Sequence, residues 1–300
     1  MARKAGFRQR PPFAAGPGVL RAVTMRLLTR LLLIVALLVA GLFAWMHHEA
    51  RADPIVRRAT IALPDWPAGQ RPVTVLLLGD VHLGSVAMDA PRLTRIVAQV
   101  NALKPDLVLM AGDFVSGHDP VAGARYATQL VRPLNGLRAP LGVIAVPGNH
   151  DYWAGRVSVP RALWGASVTM LVNSATTRGP LAIGGVADVY THHADVPATM
   201  HALDRLPGAK IIVTHSPDVT AMMPGEIELV LAAHTHCGQI VAPFYGPLSS
   251  VARERYRCGL VRDGNRLTVV TGGLGTSIVP LRFGAPPDMW LLTLGPRRGR

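Results

Sequence analysis

Short apolar runs recur along the chain, and each stops at a cluster of polar residues. Val73–Leu78 leads into Gly79-Asp80-Val81-His82, Leu107–Met110 into Gly112-Asp113, and Val143–Val146 into Gly148-Asn149-His150-Asp151. Ile211–Val213 leads into Thr214-His215, and Leu229–Ala232 into His234-Thr235-His236. Short runs rich in Val, Leu and Ile predict strands buried on both faces. Between the first two runs the period changes to that of a helix: Asp89 caps it, Pro91 fits its first turn, and Leu93, Ile96, Val97, Val100 and Leu103 share one face. Tyr126, Leu130 and Leu134 predict a second helix, and Val196 to Leu206 a third. Strands alternating with helices imply a layered α/β fold, in which sites gather where strand C-termini meet their loops.

Upstream the pattern is different. Leu31 to Met46 is a run of sixteen residues without a charge, about 24 Å as a helix against a hydrocarbon core of ~30 Å. Leu27, Leu28 and Thr29 extend it if Arg30 snorkels, Trp45 suits an interfacial anchor, and His47, His48 and Glu49 end it. Two versions compete. An uncleaved anchor is favoured, because the stretch before it is long; a signal peptide cleaved after Ala50-Arg51-Ala52, with Met25 as the true start, is the other. The expected organisation is a basic cytoplasmic tail (1–30), an anchor or signal segment (31–48), a tether with room for one short extended piece (49–71), one α/β domain (72–295) and a basic tail (296–300).

Charge refines this picture. The formal net charge is +13, but Arg3, Lys4, Arg8, Arg10, Arg21, Arg26 and Arg30 crowd the first thirty residues, where there is no acid. The excess that remains is mostly scattered Arg, which argues against nucleic acid as a partner. The basic flank instead orients the segment with its N-terminus in the cytoplasm and the domain on the other side of the membrane. With 49% hydrophobic and 16% charged residues, global disorder is excluded. Two cysteines, Cys237 and Cys258, are too few for a disulfide framework or a four-thiolate zinc site.

The residues that end the runs are oxygen and imidazole donors, which suit Mn, Fe, Zn or Ni rather than a thiolate-seeking metal. Asp80-x-His82 and His234-x-His236 are expected to present both side chains on one face, since alternate strand residues point the same way. With Asp113, Asn149 and His215 the set reaches seven. That is enough for two metals, roughly 3.5–4 Å apart, to share a carboxylate, bridge a hydroxide and clamp a phosphoryl oxygen during in-line attack.

The order D-x-H, G-D, G-N-H-D, H, H-x-H resembles the calcineurin-like metallophosphoesterases, over roughly Val73 to Leu294. Gly273-Leu274-Gly275-Thr276 with Pro280-Leu281-Arg282 is similar to their bacterial membrane-associated branch. The resemblance implies a four-layer α/β/β/α sandwich, here preceded by one N-terminal transmembrane helix, with a dinuclear metal centre. It implies Asp80, His82 and His236 as ligands of one metal, Asn149, His215 and His234 of the other, and Asp113 as the bridge. It gives His150 a non-ligand role, contacting phosphate and helping the leaving group depart; Asp151 either orients His150 or caps the following turn. Two positions depart from the family: Ala233 and Cys237 stand where glycine is usual. Ala233 matters only if its φ must be positive. For Cys237 a buried spectator thiol is favoured over metal contact, and a disulfide with Cys258 is a further option in an exported domain.

The expected activity is that of a membrane-associated phosphoesterase, a phosphodiesterase for preference, acting on a lipid-linked or nucleotide-linked ester. Hydrolysis of a UDP-2,3-diacylglucosamine-type pyrophosphate, as in lipid A synthesis, is the enzymatic alternative; a non-catalytic binding scaffold is the alternative of another class. Other residues have plainer readings. His47 and His48 mark the polar edge of the apolar segment, His118 a solvated loop or the cleft lining, His192 and His193 a loop over the site, and His201 a helix surface. Tyr152 and Trp153 wall the cleft or pack in the core, Arg282 holds a substrate phosphate or makes a structural ion pair, and Gly272–Gly275 is a weak phosphate-cradle signal that lacks a P-loop lysine.

Overall fold

In the computed structural model, which describes residues 17–297, helix α1 (Pro17–Ala50) is continuous through the apolar run. Its stretch Thr24–Ala50 is long and apolar enough to cross a membrane, and the side chains from Thr24 to Trp45 are exposed. Arg3, Lys4, Arg8, Arg10, Arg298 and Arg300 lie outside the described residues. The chain divides into two units, Met1–Trp45 and Met46–Arg300, and among the described residues the strands all lie in the second.

The elements of this second unit run β1 (Ile55–Leu63), β2 (Val73–Leu78), α2 (Ala90–Ala102), β3 (Leu107–Ala111), α3 (Pro120–Leu134), β4 (Val143–Val146), α4 (Asn149–Trp153), α5 (Ser158–Gly165) and β5 (Thr169–Met170). Then come β6 (Ser174–Arg178), β7 (Leu181–Val186), α6 (Val196–Leu203), β8 (Ala209–Thr214), β9 (Leu229–Ala232) and a small hairpin, β10 (Val241–Ala242) with β11 (Gly246–Pro247). β12 (Gly259–Asp263), β13 (Arg266–Val270) and β14 (Asp288–Pro296) complete the fold. One six-stranded sheet has the order β1-β14-β2-β3-β4-β5 and the other β12-β13-β9-β8-β7-β6.

Strand alternation assigns the layers. Leu76, Leu78, Val108 and Met110 pack against Leu93, Ile96 and Val100 of α2, Leu130 of α3 and Leu163 of α5. Their neighbours Val75, Leu77, Leu107 and Leu109 point the other way, onto Ile183, Ile211, Val213, Leu229 and Leu231 of the second sheet. That sheet's outer residues Ala182, Ile212 and Val230 meet Val196, Met200 and Leu203 of α6. The result is the α/β/β/α sandwich. The three helices stand where the apolar period placed them, and Asp89 caps α2 by accepting from the Arg92 backbone N–H.

The structure corrects the tether. Residues 49–71 contain β1, which pairs in parallel with β14 from Ile55↔Asp288 to Leu63↔Pro296, so the sheet begins before residue 72. An edge strand with one covered face lacks the continuous apolar run that marks a central strand. β7 is hidden for another reason: it contains Gly184 and Gly185, where an added Cβ would meet Ile212 Cδ1 at 2.7 Å and Leu171 Cβ at 2.2 Å.

Arg92 lies on α2 and carries no signal of its own in the sequence, yet it is wholly buried. Its guanidinium donates to the carbonyls of Arg51, Ala52, Ala87 and Leu274, tying α2 to the chain after α1 and to the loop behind the site. Arg92→Met would orphan those carbonyls and should cost about 3 kcal/mol of stability. Chemical denaturation of the variant checks this; an unchanged midpoint would show that the ties are dispensable.

Candidate metal centre

The loops after β2, β3, β4, β8 and β9 bring Asp80, His82, Asp113, Asn149, His215, His234 and His236 together, all buried. The strand period does not orient the D-x-H and H-x-H pairs, because β2 and β9 end before them. Instead the backbone turns left-handed at Asp80 (φ 48°), His82 (49°), Asp113 (55°), His234 (73°) and His236 (50°). Non-glycine residues avoid this region, and such strain concentrates at functional sites. Backbone bonds hold the turns: Asp80 N–H donates to Gly112 O (3.0 Å), His82 N–H to Asp113 O (3.0 Å) and Gly275 N–H to Asp80 O (2.7 Å).

Asp113 Oδ2 lies 3.4 Å from His82 Nε2 and 3.3 Å from His215 Nε2, between the two halves of the cluster. In one half His82 Nε2 is 3.1 Å from His236 Nε2. In the other His215 Nε2 is 3.0 Å from both Asn149 Oδ1 and His234 Nδ1. The His215 Nδ1–H donates to Ala111 O at 2.7 Å, which turns Nε2 toward Asn149 Oδ1, His234 Nδ1 and Asp113 Oδ2, where a proton or a metal ion is needed. Buried His82 Nδ1 and His234 Nε2 have no partner. Burial works against a charged His215, yet the Asp113 and Asp80 carboxylates push it up to about 10. Burial raises Asp80 to about 7 against the pull of His215. Burial also lowers His82 and His234 to about 3 and His236 well below its usual value. Facing lone pairs and buried carboxylates require positive charge among them. The set fits divalent ions, and the triads Asp80–His82–His236 and Asp80–Asp113–His215 are each close enough to hold one.

His150 lines the cavity beside this cluster, with its backbone N–H donating to Asp113 Oδ1 (2.8 Å). Its ring is oriented by Gly117 O, 3.1 Å from Nδ1, and not by Asp151. Asp151 accepts from the backbone N–H groups of Asp113, Phe114 and Gly148, each at 2.9 Å, so it clamps the loop that carries Asp113. Burial and the nearby Asp113 charge push its carboxyl up to about 7 despite these donors.

Other expectations change as well. Cys237 and Cys258 form a disulfide, which corrects the spectator-thiol reading of Cys237. Cys237 sits at φ 54°, a conformation that glycine enters freely, and the crosslink fixes the backbone next to His236. Ala233 is not among the positive-φ residues, so its methyl is tolerated. Arg282 makes no contact with the cavity; it is buried and donates to the carbonyls of Gly272, Gly275 and Ala285. Gly273 supports Asp80 rather than a phosphate: a Cβ there would lie 2.4 Å from Asp80 Cβ. His118 is exposed but lines the cavity, stacked on Trp153 with centroids 4.4 Å apart. Tyr152 stacks on His193, and Tyr190, which no pattern singled out, lines the cavity 4.9 Å from His234.

Two buried carboxylates, four imidazoles and an amide beside an open cavity define a metal-dependent hydrolase of phosphoric esters. The family model for calcineurin-like phosphoesterases matches residues 73–238, and the chain belongs to that family. An uncharacterized metallophosphoesterase of Bacillus subtilis (strain 168), YkuE, is 30% identical over 76% of this chain and 81% of its own. Phosphodiesterase YaeI of Escherichia coli (strain K12) is 29% identical over 84% of this chain and 92% of its own. A Danio rerio protein named as a transmembrane protein with metallophosphoesterase domain is 28% identical over 87% of this chain, which spans 62% of its length.

Gly148 supplies a test of the packing. A Cβ there would stand 2.2 Å from Asp113 Oδ1 and 2.6 Å from Asp113 N. Gly148→Ala should leave the circular dichroism spectrum unchanged and lower ester hydrolysis about 100-fold, because an ångström of misplacement is costly in an active site. Full activity in the variant would show that the loop yields without consequence.

Proposed function

We propose that the protein is a membrane-anchored phosphodiesterase with a dinuclear metal centre. Asp80, His82 and His236 would hold one divalent ion and Asn149, His215 and His234 the other, with Asp113 shared between them. The observation that carries this is the position of Asp113 Oδ2, within 3.4 Å of both histidine groups. Two ions bound there would polarise the phosphoryl oxygen and make water acidic enough to attack at neutral pH.

The chain's own residues supply the rest. Ala111 O and the Asp151 clamp fix His215 and the Asp113 loop, so the donor set is organised before anything binds. His150 faces the cavity with its Nδ1–H given to Gly117 O, so Nε2 would donate to phosphate and to the departing oxygen in the protonated ring, which the charge of a bound phosphate favours. His118, Trp153 and Tyr190 wall the same cavity beside His150 and His234. The diester preference rests on likeness to the relative named a phosphodiesterase. The metals are drawn from Mn, Fe, Zn and Ni, as the oxygen and imidazole donors favour.

The domain is placed outside a bacterial inner membrane, with the N-terminus in the cytoplasm. The basic flank of the apolar run supports this orientation. So does the Cys237–Cys258 disulfide, which persists in oxidising compartments. Residues 46–297 act as the catalytic unit.

The full chain loaded with Mn²⁺ should hydrolyse bis(p-nitrophenyl) phosphate, and Asp113→Asn should reduce the rate well over about 100-fold. Absorbance of released p-nitrophenolate reads both. A folded, metal-loaded protein that turns over no diester, or a variant at full rate, would overturn the reading.

A further inference from the structure

The cavity, about 410 Å³, has a lining of two kinds. Besides the Asp and His cluster, its lining carries the apolar side chains Ile240, Leu248, Val251, Ile278 and Val279, with Gln239, Ser249 and Ser277 among them. At the rim that apolar part becomes an exposed apolar surface, with Ile278 96% and Tyr245 79% exposed and Phe244 and Leu248 beside them in sequence or across the hairpin. Two segments build it, the β10–β11 hairpin and the loop after Thr276. They are stitched together: Gln239 Nε2 donates to Ser277 O (2.9 Å) and Val279 O (3.1 Å), its Oε1 accepts from Ser277 N–H (2.8 Å), and Val241 N–H donates to Phe283 O (2.8 Å).

The same loop is tied to the residues where the apolar run ends. Arg282 N–H donates to Met46 O (3.1 Å), and His47 Nδ1 is 3.0 Å from Pro280 O. Ile278 is two residues from Pro280, at most about 7.6 Å along the chain. Whatever depth Met46 and His47 take at the membrane surface, Ile278 and Val279 are held close to it. A rim of unpaired aliphatic and aromatic side chains at that level suits the boundary between headgroups and acyl chains.

We propose that this rim dips into the bilayer and that the site acts on phosphoesters whose acyl arm stays in the membrane. The apolar wall receives the first carbons of that arm while the phosphate reaches the Asp and His cluster. The substrate claim rests on the phosphodiesterase reading; the docking claim does not. Hydrolysis balances simply: a water oxygen bonds to phosphorus, the bond from phosphorus to the leaving oxygen breaks, and the two water protons pass one to the leaving oxygen and one to the product phosphate or the solvent.

The test uses the full Mn²⁺-loaded chain in phosphatidylcholine liposomes, with two esters that share a leaving group. One is bis(p-nitrophenyl) phosphate in solution; the other is diacylglycerol p-nitrophenyl phosphate in the bilayer. Wild type should hydrolyse the bilayer ester, and Ile278→Glu and Phe244→Glu should each lower the ratio of bilayer to soluble rate about tenfold. A ratio that does not move, or a wild type that cleaves only the soluble ester, overturns the substrate claim and leaves the phosphodiesterase reading intact. Turnover of neither ester defeats that reading instead. Docking is then decided without activity, by Phe244→Trp in liposomes of lipids brominated near the headgroup end of their chains. The emission added by the new tryptophan should be quenched relative to unbrominated liposomes; equal emission in both would overturn the docking.

Discussion

Asp113 stands between two groups of imidazoles whose nitrogens face each other and its carboxylate at 3.0–3.4 Å, buried from water. Such a meeting is unfavourable without positive charge. The surrounding structure keeps it in place: left-handed backbone at five of the seven side chains, glycines pressed against Asp80 and Asp113, and carbonyls and carboxylates that fix each turn. A fold whose own backbone and carbonyls fix each of these donors is pre-organised for cations. The sandwich is the means, since it directs the C-terminal ends of strands from both sheets toward one edge.

Much of this is legible in the sequence, for physical reasons. Central strands such as β2 and β3 are covered on both faces and read as unbroken apolar runs, and α2 announces itself by Asp89, Pro91 and a one-sided apolar stripe. The site residues stand out because polar groups directly after buried strands have little reason to be there but chemistry. Edge strand β1 and glycine-bearing β7 are not legible, because neither carries a two-sided apolar run. Strand alternation offers a mistaken reason for pairing Asp80 with His82; the left-handed turns that orient them leave no mark in residue spacing. Asp151, Arg282 and Cys237 show the same limit. Their partners are backbone atoms or a residue 21 positions away, and local pattern cannot reveal these.

Placement and chemistry also converge on the same segments. The loop that ends in Arg282 backs His236, forms one wall of the cavity and is bonded to the chain emerging from the apolar helix. The disulfide fixes the other side of His236. The backbone that backs His236 is therefore also bonded to the end of the apolar helix.

The buried cluster, on this reading, exists to hold two ions. Elemental analysis of the purified full chain, equilibrated with Mn²⁺ and dialysed, tests that claim most directly. Two ions per chain are expected. A folded protein that retains none, its carboxylates balanced by protonated His215 alone, would contradict it.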